Sequence, residues 1–150
     1  MTAAPAPGRL IYQIDIDAPP DEVWRAITEP EWTRRFFHDT AVHTSWKVGS
    51  SISYDLPDGT PAIAGRVVEC SPPHRFVMTA RFLFDEAAVA EPESLITWEV
   101  VSRGLGSRLT LLHDRVPAHT LTLVRGGWPG ILEDLHRTLR PGSEPKVAVG

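Results

Sequence analysis

The sequence predicts an α+β domain in which a seven-stranded antiparallel sheet wraps around a long C-terminal helix, with two short helices after strand 1. Three observations predict it. Segments 20–37 and 118–139 place apolar residues at helical spacing. Nearly everything between them alternates with period two, and turn chemistry separates the alternating runs. A sheet bracketed by helices in this way can curl around the last one and leave a pocket between them.

Residues 9–17, RLIYQIDID, form the first strand, with Leu10, Tyr12, Ile14 and Ile16 on one face. Pro19 and Pro20 stop it. Asp21 is the expected N-cap of the first helix, with Glu22 in the first turn, where the helix dipole favours negative charge. Val23, Trp24 and Ile27 supply its buried stripe, and Pro30 ends it because the residue before proline resists helical geometry. A second short helix spans Glu31 to Phe37. The expected strands are then Val42 to Trp46, Ser51 to Leu56, Ile63 to Cys70, Arg75 to Phe84, Leu95 to Ser102 and Arg108 to Arg115. Segment 85–93 reads as a loop or a brief helical turn whose carboxylates are solvated. The last helix is expected as one long element with a bend at 126–130, where Gly126, Gly127, Pro129 and Gly130 interrupt the stripe of Leu121, Val124, Trp128, Leu132, Leu135 and Leu139.

Composition narrows the function classes. The 150 residues are enough for one domain, 9–139, flanked by an expected disordered leader (1–8) and flexible tail (140–150). With a net charge of −4 and no basic run, the electrostatic footprint of a nucleic-acid binder is missing. Cys70 is the only cysteine, which excludes an internal disulfide and a cysteine-cluster metal site and fits a cytoplasmic setting. The start lacks a signal-peptide pattern, and no apolar run reaches the ~20 residues of a membrane span.

Large apolar side chains on the concave face are the candidate ligand-binding residues: Phe36, Phe37, Trp46, Tyr54, Phe76, Met78, Trp98, Leu111, Val124, Trp128 and Leu132, with His113 at the pocket mouth. Any one of them is more simply core. Collectively they fit around a void, as small-molecule sites are concave and mostly apolar. Other polar candidates are His43, Arg66, Glu99 and Arg115. The histidines lack metal-ligand spacing, no Gly-x-Ser-x-Gly elbow is present, and the paired glycines are not phosphate cradles, so no metal or cofactor is expected.

The segments IDAPPDEVWRAITEPEWTRRFF, TSWKVGSSISY, GRVVECSPPHRFVMT, TWEV, GSRLTLLHD and GGWPGILEDLHRTL carry a resemblance over residues 9–139. They resemble the activator of heat-shock-protein-ninety ATPase homologue family of the START-like (SRPBCC) superfamily. The resemblance implies the helix-grip fold, an apolar cavity and a link to stress response. It also implies three functional readings. The first is binding of an apolar small molecule or lipid-like ligand. The second is a polyketide cyclase or dehydratase-type enzyme using His113, His43 and Tyr54. The third is a module contacting a chaperone transiently, through the Arg34/Arg35 face. A monomer or a homodimer is compatible with all three. The separate N-terminal module of eukaryotic chaperone activators and a helix-turn-helix are not read in this sequence.

Overall fold

The computed structural model describes residues 7–139. The expected tail and most of the expected leader lie outside the described residues, and Gly8 already begins the first strand. The strands are β1 (Gly8–Ile16), β2 (Ala41–Thr44), β3 (Ser51–Asp55), β4 (Pro61–Ser71), β5 (Arg75–Phe82), β6 (Ser94–Arg103) and β7 (Gly106–Val116). They form one antiparallel sheet in the order β1-β7-β6-β5-β4-β3-β2. Strands 2 to 7 therefore follow one another as a meander, and β1 closes onto the β7 edge. The helices are α1 (Pro20–Thr28), α2 (Pro30–Phe36), α3 (Glu86–Val89), α4 (Ala118–Arg125) and α5 (Trp128–Thr138).

Period-two alternation sorts the two faces, because successive side chains leave opposite sides of a strand. The inward rows run straight across the sheet. Phe76 faces Trp98, Trp98 faces Leu111 and Leu111 faces Tyr12, while the next row is Met78, Ile96, His113 and Leu10. The outward face is polar. There Arg75 bonds Glu69 and Glu99, and Arg108 and Arg103 flank Asp15.

Local chemistry moves several boundaries. Pro20 opens α1, where its missing N–H costs nothing, so Asp21 falls inside the first turn and Pro19 takes the N-cap position without a side-chain cap. The second strand stops at Thr44, not Trp46. Trp46 adopts φ 65°, which breaks the ladder and turns its ring edge-on to Phe76, 4.9 Å between centroids. The C-terminal helix bends as α4 passes into α5 through Gly126 and Gly127, both right-handed. Pro129 cannot donate to the Arg125 carbonyl four residues earlier, and the Tyr12 hydroxyl on β1 approaches that oxygen instead, at 3.4 Å. The bend is thereby tied to the sheet edge.

Gly65 is required by a close approach. A Cβ there would collide with the Thr79 carbonyl on β5, next to the register irregularity between Val67 and Glu69. Gly65→Ala is expected to lower the unfolding free energy by about 1–3 kcal/mol, the range for forcing atoms into a packed site. Urea denaturation checks this, and an unchanged midpoint would contradict it.

Candidate functional site

The aromatic residues of the concave face mostly fill the interior. The Trp98 ring lies 6.5 Å from Phe36, 6.4 Å from Phe37, 6.3 Å from Phe76 and 5.8 Å from Trp128, and Phe37 lies 4.9 Å from Tyr54. These are ordinary packed-ring separations. The expected void along the whole sheet–helix junction is therefore closed at its centre. The space that remains lies at one end, where the turn after α2, strands β4 and β5, and the α4–α5 bend meet.

That groove consists of two adjoining hollows of about 290 and 280 Å³ that share Phe37, His38, Ile63 and Phe84. Phe82, Leu123, Val124, Gly127, Trp128 and Ile131 complete the first. Thr40, Leu56 and Ala62 complete the second. Phe84 stands over both with 61% of its surface exposed. Of the expected ligand-binding residues, Phe37, Val124 and Trp128 line the groove. Phe36, Tyr54, Phe76, Met78, Trp98, Leu111, His113 and Leu132 are buried in the core, and Trp46 packs partly buried on Phe76. Ile63, Phe82, Phe84, Leu123 and Ile131 were not anticipated. The one available signal is Phe84, which closes the alternating run 75–84 in the sequence and lies exposed two residues past β5 in the structure.

Two buried threonines build the near wall. The Thr33 hydroxyl donates to the Thr40 carbonyl at 2.8 Å and accepts from the Val42 N–H at 3.1 Å, while the Thr40 hydroxyl donates to the Phe37 carbonyl at 2.6 Å. These bonds hold a tight turn in which His38 and Asp39 are both left-handed, at φ 50° and 60°. Phe37 and His38 are presented to the groove by that turn.

Carboxylates fix the far wall. Pro117 gives α4 no side-chain cap, and Glu91 supplies one from the β5–β6 connection, accepting from the His119 N–H at 2.9 Å, the Thr120 N–H at 2.8 Å and the Thr120 hydroxyl at 2.7 Å. Burial pushes the Glu91 carboxyl up, but these donors outweigh it and hold it below its ordinary value. Asp85 caps α3 through the Ala88 N–H and pairs with His119 Nε2 at 2.9 Å, which lowers its pKa in that order of effect. Segment 85–93 is thus a clamp on α4, not the solvated loop its composition suggests.

His113 sits fully buried at the centre of a polar chain. Trp128 Nε1–H donates to His113 Nδ1 at 3.0 Å, and His113 Nε2 lies 2.7 Å from Ser94 Oγ. An indole N–H can only donate, so Nδ1 is bare and the proton of the neutral ring is on Nε2. Nε2–H then donates to Ser94, whose hydroxyl donates to the Ala80 carbonyl at 3.3 Å. In that tautomer His113 cannot take a proton from Ser94, and the pair is not a nucleophile with its base. Burial lowers the His113 pKa to about 4. His113 is therefore an interior strut and not a group at the pocket mouth.

The other polar candidates do not converge on the groove. His43 projects to the face opposite Tyr54, since Val42 is the residue paired with Tyr54, and it lies 3.7 Å from Asp55. Arg66 borders a depression on the outer face, Glu99 is bonded to Arg75, and Arg115 is exposed with φ 55°. The trio proposed for acid-base chemistry is thus dispersed. Among the described residues no group of three or more His, Cys, Asp or Glu could hold a metal ion.

A family model described as Activator of Hsp90 ATPase homolog 1-like protein matches residues 17–140. The chain belongs to that family. No curated protein matches the sequence. Among solved structures, CalU16 from Micromonospora echinospora is 26% identical with a TM-score of 0.70, covering 89% of this chain and 76% of that one. PFC0360w, an HSP90 activator from Plasmodium falciparum, is 22% identical with a TM-score of 0.70, covering 85% and 92%. The Aha1 dimer from Colwellia psychrerythraea is 15% identical with a TM-score of 0.71, covering 91% and 99%. The helix-grip architecture is common to this family member and these neighbours. Among the described residues no helix is long and apolar enough to cross a membrane.

The buried imidazole makes stability depend on pH. Folding depresses its pKa from 6.5 to about 4, so as pH falls the unfolded chain takes up the proton first. Stability is full above pH ~6.5 and is lost as pH falls towards ~4. Between pH 7 and 5 the loss through His113 is about 2 kcal/mol. Denaturant unfolding of wild type and His113→Gln over that interval should show the difference. Equal slopes for the two would refute the assignment.

Proposed function

We propose that this domain binds a small apolar molecule in the end groove between the sheet and the α4–α5 bend. One observation carries the reading: a hollow of about 290 Å³ is walled almost wholly by carbon and left partly open under an exposed phenylalanine. A soluble chain gains by covering such surface, at roughly 25 cal/mol per Å² removed from water. Among the described residues the polar side chains on the walls of the two hollows are His38 and Thr40, beside the Trp128 indole committed to His113, and the Thr40 hydroxyl is already spent on Phe37. The walls therefore select by shape and apolar area. An apolar cavity is also what the family resemblance implies. Cyclase or dehydratase chemistry stands behind binding, because His113, His43 and Tyr54 are separated.

Gly127 provides the test. Its backbone is right-handed, and an added Cβ would meet only the Leu123 and Val124 carbonyl oxygens, at 3.9 and 3.7 Å. A larger side chain is therefore tolerated by the helix while it fills the groove. Gly127→Leu should weaken binding of apolar hits from a thermal-shift and native mass spectrometry screen by at least about tenfold, leaving the melting temperature of the free protein unchanged or higher. Undiminished binding would move the site elsewhere.

Contact with a chaperone is the second reading, supported by the family description and by the described activity of PFC0360w. Arg34 and Arg35 are exposed on α2, Arg35 lies 5.6 Å over the Trp32 ring, and neither joins a salt bridge among the described residues. Such a face suits a transient acidic contact. If it acts so, Arg34→Glu with Arg35→Glu should reduce stimulation of a purified Hsp90 ATPase several-fold. Equal stimulation by wild type and the double variant, or none by wild type, removes this reading.

A further inference from the structure

Building on the groove reading, the next question is what chemistry its occupant carries. Trp98 is 1% exposed, and its indole N–H is the one buried side-chain donor on the concave face without an acceptor among the described residues. The other unpartnered atom, Arg81 Nε, belongs to the outer face. A buried donor left unmade is costly, so natural cores rarely keep one without a reason. The contrast with Trp128 sharpens the point, because there the fold provides a histidine, a serine and a backbone carbonyl to satisfy a single indole. The aromatic rings packed on Trp98 offer a resident water no free polar partner. Such a water would need about two to four polar partners, and the rings packed on Trp98 are those of Phe36, Phe37, Phe76 and Trp128, whose only N–H is committed to His113.

Phe37 and Trp128 both line the groove and both pack on Trp98, so the indole that carries the unpaired donor lies one ring behind the groove wall. Trp128 is bonded in place, whereas the Phe37 ring is held by packing alone. We propose that the ligand is an uncharged apolar molecule whose leading end carries one acceptor oxygen, a carbonyl being the simplest, and that this oxygen displaces the Phe37 ring and accepts from Trp98 Nε1. A carboxylate or phosphate is excluded by the surroundings. One neutral donor in an apolar interior does not compensate for burying a charge.

The probes are 2-acetylnaphthalene and 2-ethylnaphthalene, which have nearly the same shape and differ by a carbonyl against a methylene. Binding is followed by the indole N–H resonances of ¹⁵N-labelled protein, with Trp98 identified by its absence in Trp98→Phe. The expected result is roughly three- to tenfold tighter binding of the ketone, a downfield move of the Trp98 indole proton with the ketone alone, and loss of the preference in Trp98→Phe. If that variant does not fold, through-space contacts of the indole proton to the rings of Phe36 and Trp128 identify it, and the wild-type arm decides. Equal affinities with an unmoved Trp98 signal overturn the inference and leave the groove reading intact. An indole proton shifted upfield in both complexes, pointing into a ring face, overturns it likewise. Binding of neither probe overturns the groove reading for molecules of this class, and the inference with it.

Discussion

A single hydrogen bond sets the rest of the structure: the indole N–H of Trp128 on Nδ1 of His113. Trp128 opens α5, and its ring sits edge-on to Trp98 in the middle of the sheet, so burying it places the helix. An N–H carried into so apolar a core must find an acceptor, or the placement costs more than the ring gains. His113 is the acceptor on the facing strand. Once Nδ1 accepts, the proton must lie on Nε2, Ser94 must receive it, and Ala80 must receive the serine's. Protonating the ring would set two donors against each other. Burial lowers the pKa of His113, and the same burial makes the Trp128 contact that seats the terminal helix.

The groove is the counterpart of that tight centre. Where the helix carries Trp128 and Leu132, the sheet is covered and closed. Where it bends through Gly126 and Gly127, no side chain reaches the sheet, and space is left above β4 and β5. Neither glycine uses a left-handed backbone, so the value of glycine there is the absence of bulk. Three features keep the space from collapsing. The threonine-held turn props Phe37, the Glu91 and Asp85 clamp fixes the start of α4, and Tyr12 holds the carbonyl that Pro129 leaves free. The turn and the clamp lie outside the ladder and Tyr12 lies on β1, and each of the three is held by hydrogen bonds at 3.4 Å or shorter.

Much of this was legible in the sequence. The seven strands, the two short helices and the bent terminal helix were readable because alternation and helical spacing are strong there and proline and glycine mark the breaks. The family resemblance agreed with them. Periodicity reports which face a residue occupies but not how deep it lies, so it sets Trp98, Phe76 and Leu111 inward without separating core from pocket wall. Phe84 lies two residues past β5, and Leu123 and Ile131 stand beside the helical stripe of Leu121, Val124, Trp128 and Leu132 and not on it, so periodicity does not mark them. The clamp was illegible for another reason. Glu91 caps a helix that begins 27 residues later in the chain, and a cap supplied from outside its own helix leaves no local signature. Trp46 illustrates the limit of propensity, since a strand-favouring residue ends the strand by taking a positive φ.

Fold alone does not choose among binding, catalysis and partner contact, and the interior chemistry bears on the two buried candidates, His113 and Tyr54. Acid-base catalysis near neutral pH needs a group whose proton is free to move within reach of a substrate. Here the buried histidine has both nitrogens engaged and a pKa near 4, and the Tyr54 phenol is pushed by burial well above its ordinary value. Neither exchanges a proton readily at pH 7. What the chain exposes instead is carbon, arranged around a hollow and bordered by one strained turn and one fixed helix end. Such a surface distinguishes molecules by fit and by the cost of burying their polar atoms. For a guest bound as proposed, selectivity would rest on fit and on whether each polar atom it buries finds a donor.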